Sequence, residues 1–131
     1  MPRPKRKRSV ESPPKMEGFK PFGIPMSKLE HVTLLYEEYE AFRLMDYEGL
    51  NQTEAAEKMN VSRPTVTRIY NRARKTIAKA LVEGNAIFIE GGNYSINENW
   101  YRCKKCKKLN KNNESKCKDC ESDSLMIINN N

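Results

Sequence analysis

The stretch from Asn51 to Leu81 carries punctuation that two packed helices satisfy and little else does. Asn51 and Glu54 have the spacing of a reciprocal capping box, in which each side chain accepts the other residue's backbone N–H. A first short helix should follow, to about Met59. Ala55 and Ala56 are small where a second helix must cross closely, and Met59, Val61, Val66 and Ile69 are apolar where both helices and their turn share a core. Asn60 falls where the chain needs a left-handed residue, and Asn is second only to Gly there. Ser62 can cap the second helix, with Pro64 in its first turn, where a missing N–H costs nothing. The pattern is that of a helix-turn-helix with a recognition helix over 62–82. Once Val66 and Ile69 face inward, Arg63, Thr65, Thr67 and Arg68 face outward at the N-terminal end, the end a recognition helix puts into the major groove. The plainer reading is a helical hairpin with a basic surface.

Charge favours the sharper reading. The 131 residues carry a formal charge of +7, and only 37% are hydrophobic, so the core is small and an anionic partner is expected, nucleic acid first. The recognition helix contributes Arg63, Arg68, Arg72, Arg74, Lys75 and Lys79, with no acid between Ser62 and Glu83. Such a one-sign helix repels itself unless phosphates lie against it. Gly84 or Asn85 should end it. No apolar run is long enough for a membrane span, and no apolar segment follows the basic N-terminus as in a secretory signal. The expected compartment is the cytoplasm, where four cysteines serve as thiols or metal ligands rather than disulfides.

Those cysteines form two CxxC pairs, Cys103-Lys-Lys-Cys106 and Cys117-Lys-Asp-Cys120, ten residues apart. Two such knuckles complete a thiolate tetrahedron with no open position, so the spacing predicts one structural Zn²⁺; iron in a rubredoxin-like setting is the rival. Four thiolates and one Zn²⁺ lower the net charge to about +5. Trp100–Arg102, Lys108–Leu109 and Ser124–Ile128 supply strands for a zinc ribbon over 97–131, with the run from Asn110 to Ser115 as a loop. Its Arg102 and seven lysines suit nucleic-acid contact or simply solvent.

Three other regions complete the expectation of a mainly α chain. Residues 1–17 read as a disordered basic arm whose Arg3, Arg6 and Arg8 could contact the DNA backbone. Over 18–96 the helix-turn-helix domain gains Phe19, Phe22 and Ile24 as anchors, a short strand over Val32–Leu35, and a supporting helix from Tyr36 to Gly49. In that helix Tyr39, Phe42, Leu44 and Met45 face inward, while Glu37, Glu38, Glu40 and Asp46 face solvent, away from nucleic acid. The lone His31 reads as a surface or packing residue. Ile87 and Ile89 alternate, Glu90-Gly-Gly-Asn93 is a turn, and Tyr94 and Ile96 alternate again, predicting a β-hairpin that is either a wing on the DNA or a structural flap.

Several segments together also resemble a known family: Phe19-Lys-Pro-Phe-Gly-Ile-Pro25, Glu38-Tyr-Glu-Ala-Phe-Arg-Leu44, Asp46-Tyr-Glu-Gly-Leu50, Glu54-Ala-Ala-Glu57, Val61-Ser-Arg-Pro-Thr65, Ala73-Arg74, Ala80-Leu-Val82 and Ile89-Glu-Gly-Gly-Asn-Tyr94. Over about residues 2–96 the chain is similar to the domain-of-unknown-function 134 family of small predicted DNA-binding proteins from bacteria and archaea, which in turn resemble sigma-factor region four. Asn60 stands where that family usually has Gly, and Leu35 where a capping Thr is common. The paired CxxC tail occurs in only some relatives.

The expected function is sequence-specific binding of double-stranded DNA, as a transcriptional regulator. Arg63, Thr65, Thr67 and Arg68 would contact bases, and Ser62, Arg72, Arg74 and Lys75 the backbone. RNA polymerase or other transcription proteins, and a second copy of the chain, are further partners to consider. The alternatives are an RNA- or ribosome-associated basic module and an adaptor on the transcription machinery. An enzyme is not expected: there is one His, no phosphate loop and a closed metal site.

Overall fold

A computed structural model describes residues 7–111 and 116–128. The order is β1 (Arg8–Ser9), β2 (Gly18–Phe19), a 3-10 turn (Met26–Lys28), β3 (His31–Leu34), α1 (Tyr36–Phe42), α2 (Gln52–Met59), α3 (Arg63–Glu83), β4 (Ala86–Ile89), β5 (Tyr94–Ser95), β6 (Trp100–Cys103), β7 (Leu109–Lys111) and β8 (Leu125–Ile128). The strands form small sheets in the orders β1-β5, β2-β4-β3 and β7-β6-β8. Among the described residues, no helix is long and apolar enough to cross a membrane.

Local chemistry sets the ends of α2 and α3. Asn51 accepts the Glu54 N–H at 2.8 Å and Glu54 accepts the Asn51 N–H at 3.0 Å. Asn60 is left-handed at φ 56°, Ser62 accepts the Thr65 N–H at 3.3 Å, and Gly84 ends α3 at φ 73°. Ala55, Met59, Val66 and Ile69 are buried with Ala41, Ala56 and Leu44 in one cluster. The alanines matter through size: overpacking such a crossing costs about 1–3 kcal/mol, as much as a cap contributes. α1 begins after Leu35 with no side-chain cap at that residue. Half a capping box remains, because Glu38 accepts the Leu35 N–H at 2.9 Å. The helix widens to a π-helical turn over Arg43–Tyr47 before Gly49, at φ 77°.

The acidic face of α1 is turned inward, opposite to the sequence expectation. Glu37, Glu38 and Glu40 are all buried. Each has a partner distant in sequence or at the helix start: Glu37 pairs with Arg8 at 3.5 Å and accepts the Asn93 N–H at 3.1 Å, while Glu40 accepts the Glu11 N–H at 2.9 Å and bonds Arg43 at 2.8 Å. Arg43 also reaches Glu48 and Glu11. Asp46 is the exception: it is exposed and accepts the Tyr70 hydroxyl at 2.7 Å.

The basic arm is likewise ordered from Lys7 onward. Arg8↔Tyr94 and Ser9↔Ser95 pair in parallel, and Val10 is 2% exposed within a second apolar cluster with Leu34, Tyr36, Ala73, Ile89 and Ile96. Val10, Pro13 and Pro14 give this strap the apolar area that its cation run conceals. Arg3 and Arg6 lie outside the described residues.

The expected hairpin does not form. β4 pairs with β3 in parallel and with β2 antiparallel, whereas β5 pairs with β1. The Gly91 carbonyl accepts the Tyr36 N–H at 3.1 Å, so the intervening loop caps α1 instead of turning a hairpin. Ile24 packs on Gly84, but Phe19 and Phe22 are exposed and anchor nothing in the core. His31 is exposed and stacks on Phe88 with ring centres 4.3 Å apart.

Asn60 offers a clean test of the α2–α3 turn. In urea unfolding, Asn60→Gly should keep the unfolding free energy within a few tenths of a kcal/mol of the parent, whereas Asn60→Val, β-branched at positive φ, should lose about 1–3 kcal/mol.

Candidate functional site

Two groups of residues stand out, one at each end of the chain's chemistry. The first is the cysteine cluster. Cys103 ends β6 and Cys106 follows its turn; Cys117 and Cys120 occupy a turn built the same way. Lys107 N–H returns to the Cys103 carbonyl at 2.9 Å and Glu121 N–H to the Cys117 carbonyl at 3.0 Å. Lys107 (φ 67°) and Glu121 (φ 61°) take left-handed conformations to close the two knuckles.

The four sulfurs lie within 4.8 Å of one another. Cys103–Cys120 and Cys106–Cys117 are each 3.5 Å apart, and all four are free thiols. A Zn²⁺–sulfur bond near 2.3 Å gives a tetrahedron with edges of about 3.8 Å, so the cluster fits one such ion with little movement. The backbone favours thiolates. N–H groups of Cys120 and Asp119 hold the Cys117 thiol down at about 6, and the Cys106 N–H lowers Cys103. Cys106 is pushed up to about 12; the Lys108 N–H pulls it down, but desolvation and the neighbouring Cys117 sulfur outweigh that. Sulfurs this close suit a cation, whose binding would draw off the protons that remain.

Asn110 completes the centre, although its sequence context reads as loop. It lies in β7, 1% exposed. Its Nδ2 donates to the Cys117 sulfur at 3.5 Å and to the Lys108 carbonyl at 3.2 Å, and its Oδ1 accepts the Lys118 N–H at 3.0 Å. No sequence signal marks it, since an isolated Asn in a polar run is ordinary.

The strands around the cysteines match the expected ones closely. Arg102, however, is not a surface cation. It is 5% exposed and donates to the carbonyls of Pro14 (3.0 Å), Lys15 (3.1 Å) and Lys107 (3.2 Å). With Trp100 and Ile128 packed against the second cluster, it docks the C-terminal sheet on the N-terminal strap.

The second group lies on α3. Val66, Ile69, Ala73 and Ala80 point to the core, which leaves Arg63, Arg68, Arg72, Arg74 and Lys75 exposed. Arg63 donates to Gln52 at 3.3 Å. Thr65 accepts from the Ser62 hydroxyl at 2.8 Å and from Arg68 at 3.3 Å, so Ser62, Thr65 and Arg68 form one chain of side chains across the helix start. Thr67 is turned back on its own helix, donating to the Arg63 carbonyl at 3.0 Å. Arg74 lies over the Tyr70 ring at 5.5 Å, on the flank.

Arg8 belongs to this neighbourhood in an unexpected way. It sits beside Thr65, Arg68 and Arg72 around a cavity of about 290 Å³ floored by Glu37 and Glu38. Burial raises Glu38 above the usual carboxylate range, against the pull of the Leu35 N–H and the Arg72 charge. Arg8 is thus engaged by Glu37 and is not a free arm.

The cysteine cluster makes a direct prediction. Co²⁺ titration of the reduced chain should saturate at one equivalent with the spectrum of tetrahedral thiolate ligation. Cys117→Ser should remove that spectrum, and Asn110→Ala should weaken metal binding by about 10–100-fold.

Against known proteins, the family model described as "Protein of unknown function DUF134" matches residues 1–97. The UPF0251 protein of Thermoanaerobacter pseudethanolicus is 57% identical over 96 residues, spanning 73% of this chain and 81% of its own length. Those of Clostridium novyi (44% identical; 98% of this chain, 90% of its own) and Desulforudis audaxviator (45% identical; 96% and 86%) extend over the C-terminal sheet as well. No solved structure matches the chain.

Proposed function

We propose that this chain, which belongs to the DUF134 family, is a cytoplasmic, sequence-specific double-stranded DNA-binding protein that regulates transcription. In this reading α2 and α3 are the two members of a helix-turn-helix. The observation that carries it is the division of α3. Val66 and Ile69 are buried, while Arg63 and Arg68 stand exposed about 1.4 turns apart at its N-terminal half. A guanidinium fork there can meet guanine O6 and N7 in a major groove.

The remaining parts fit that docking. α2 would lie across the backbone, with Gln52 steadying Arg63. Thr65, already bonded to Ser62 and Arg68, would orient Arg68 as much as contact a base. Arg72 and Lys75 follow on the exposed side and would take phosphates, which supply most of the affinity and its salt dependence. Arg74 would join them from the flank. The Zn²⁺ that the four cysteines could hold is structural here, closing the sheet without touching substrate.

Selection of bound oligonucleotides from a random duplex pool tests the reading. Arg68→Ala should relax preference at one base pair, at a cost of about 1–3 kcal/mol on the best site. Lys75→Ala should weaken all sites about equally and reduce the salt slope by about one. A chain that prefers structured RNA to duplex DNA at physiological salt would refute it.

A further inference from the structure

A cavity of about 970 Å³ opens between the N-terminal strap and the C-terminal sheet, on neither the metal centre's closed interior nor the exposed side of α3. Two strand edges line it. β2 is an outer strand of its sheet and β8 an outer strand of the other. The ladder pattern gives the direction of their free groups. Ile89 N–H bonds the Glu17 carbonyl, so with the register Gly18↔Phe88 the backbone N–H and C=O of Gly18 point away from β4. Lys104 N–H bonds the Ser124 carbonyl, so with the register Tyr101↔Ile127 those of Ile127 point away from β6. Neither residue's backbone has a hydrogen-bond partner among the described residues.

The side chains around these edges are of two kinds. Phe19 (58% exposed), Met126 (50%) and Ile127 (52%) are apolar and open. Lys15, Lys20, Lys107 and Lys108 rim the cavity, exposed and without an ion-pair partner among the described residues. The opposing charges are the carboxylates of Glu17 and Glu90, and Glu17 lies 3.6 Å from Arg102. Cys106 is exposed and lines the same cavity, so a filled thiolate centre would add two negative charges there, against four ammonium groups and the Arg102 guanidinium. Apolar strand edges with free main-chain groups can pair with another strand, and lysines beside such an edge repel a second copy of this basic chain while admitting an acidic segment.

We propose that this cleft binds an extended, acidic and apolar segment of a partner protein, which adds as a strand to β8, the longer of the two edges, and sets its carboxylates against the four lysines. Main-chain bonds would give the affinity, and alternate side chains on Phe19, Met126 and Ile127 the selectivity. This surface stands apart from the DNA reading, and either can fail alone.

The test uses the full-length, Zn²⁺-loaded chain and a fluorescent twelve-residue peptide of alternating Glu and Val, read by anisotropy. A peptide of alternating Lys and Val and a twelve-nucleotide oligo-dT serve as comparators. Saturable binding of the acidic peptide, at least tenfold tighter than either comparator, is expected. Ile127→Pro removes the outward N–H together with the exposed isoleucyl side chain, at a place where an edge strand tolerates proline. It should keep the metal content and duplex-DNA affinity of the parent and weaken the peptide at least tenfold. Lys107→Glu with Lys108→Glu should weaken it similarly. Absence of saturable peptide binding, equal binding of oligo-dT, or unchanged binding by Ile127→Pro would each overturn the proposal.

Discussion

Three carboxylates on one helix turn inward, and the rest of the helical half is assembled on them. Burying a charge without partners is prohibitive, so each acid must bring its partner with it. Glu37 draws in Arg8 and the backbone of Asn93, and Glu40 draws in Glu11 N–H and Arg43. The N-terminal strap is thereby fixed along α1 at Glu37 and Glu40, and the Glu90–Asn93 loop at the start of the helix. Apolar packing of Val10, Leu34, Ile89 and Ile96 then fills the space between them. Buried ion pairs contribute little net stability, but they do penalise every arrangement in which one partner is missing. That penalty is what selects this topology over a simple hairpin.

The same acids shape the exposed side. α3 lies against α1, and the cavity floored by Glu37 and Glu38 sits directly beside Thr65, Arg68 and Arg72. Arg68 and Arg72 therefore have carboxylates beneath them on one side and solvent on the other. In the proposed complex, phosphates would replace that solvent. The one-sign helix is tolerable in the free protein partly because α1 lends it the acids that its own sequence lacks.

How much could be read from the sequence follows from how far apart the partners lie. The caps at Asn51 and Ser62, the turn at Asn60, the stop at Gly84 and the two cysteine knuckles are made by residues within a few positions of one another, and all are where spacing puts them. The interactions that escaped it bridge long separations. Glu37 meets a residue 56 positions away, Glu40 one 29 away, and Arg102 carbonyls 87 and 88 away. Amphipathic reasoning assigns a carboxylate to solvent because it cannot see the arginine that will arrive from elsewhere. Strand partners are open to the same error: Ile87 and Tyr94 alternate as hairpin arms do, but alternation is silent about which edge a strand joins.

Arg102 has one consequence for how the molecule meets large partners. Proteins that carry two recognition units on a slack tether gain avidity over a range of target spacings, because the tether sets an effective concentration that changes slowly with distance. Here a guanidinium grips the main chain on both sides of the junction, and Trp100 and Ile128 close it. The two halves present themselves at one bearing, like the jaws of a fixed gauge. Anything engaged by both must already have the matching span, and lengthening the segment over 97–99 would not widen that choice while the grip holds.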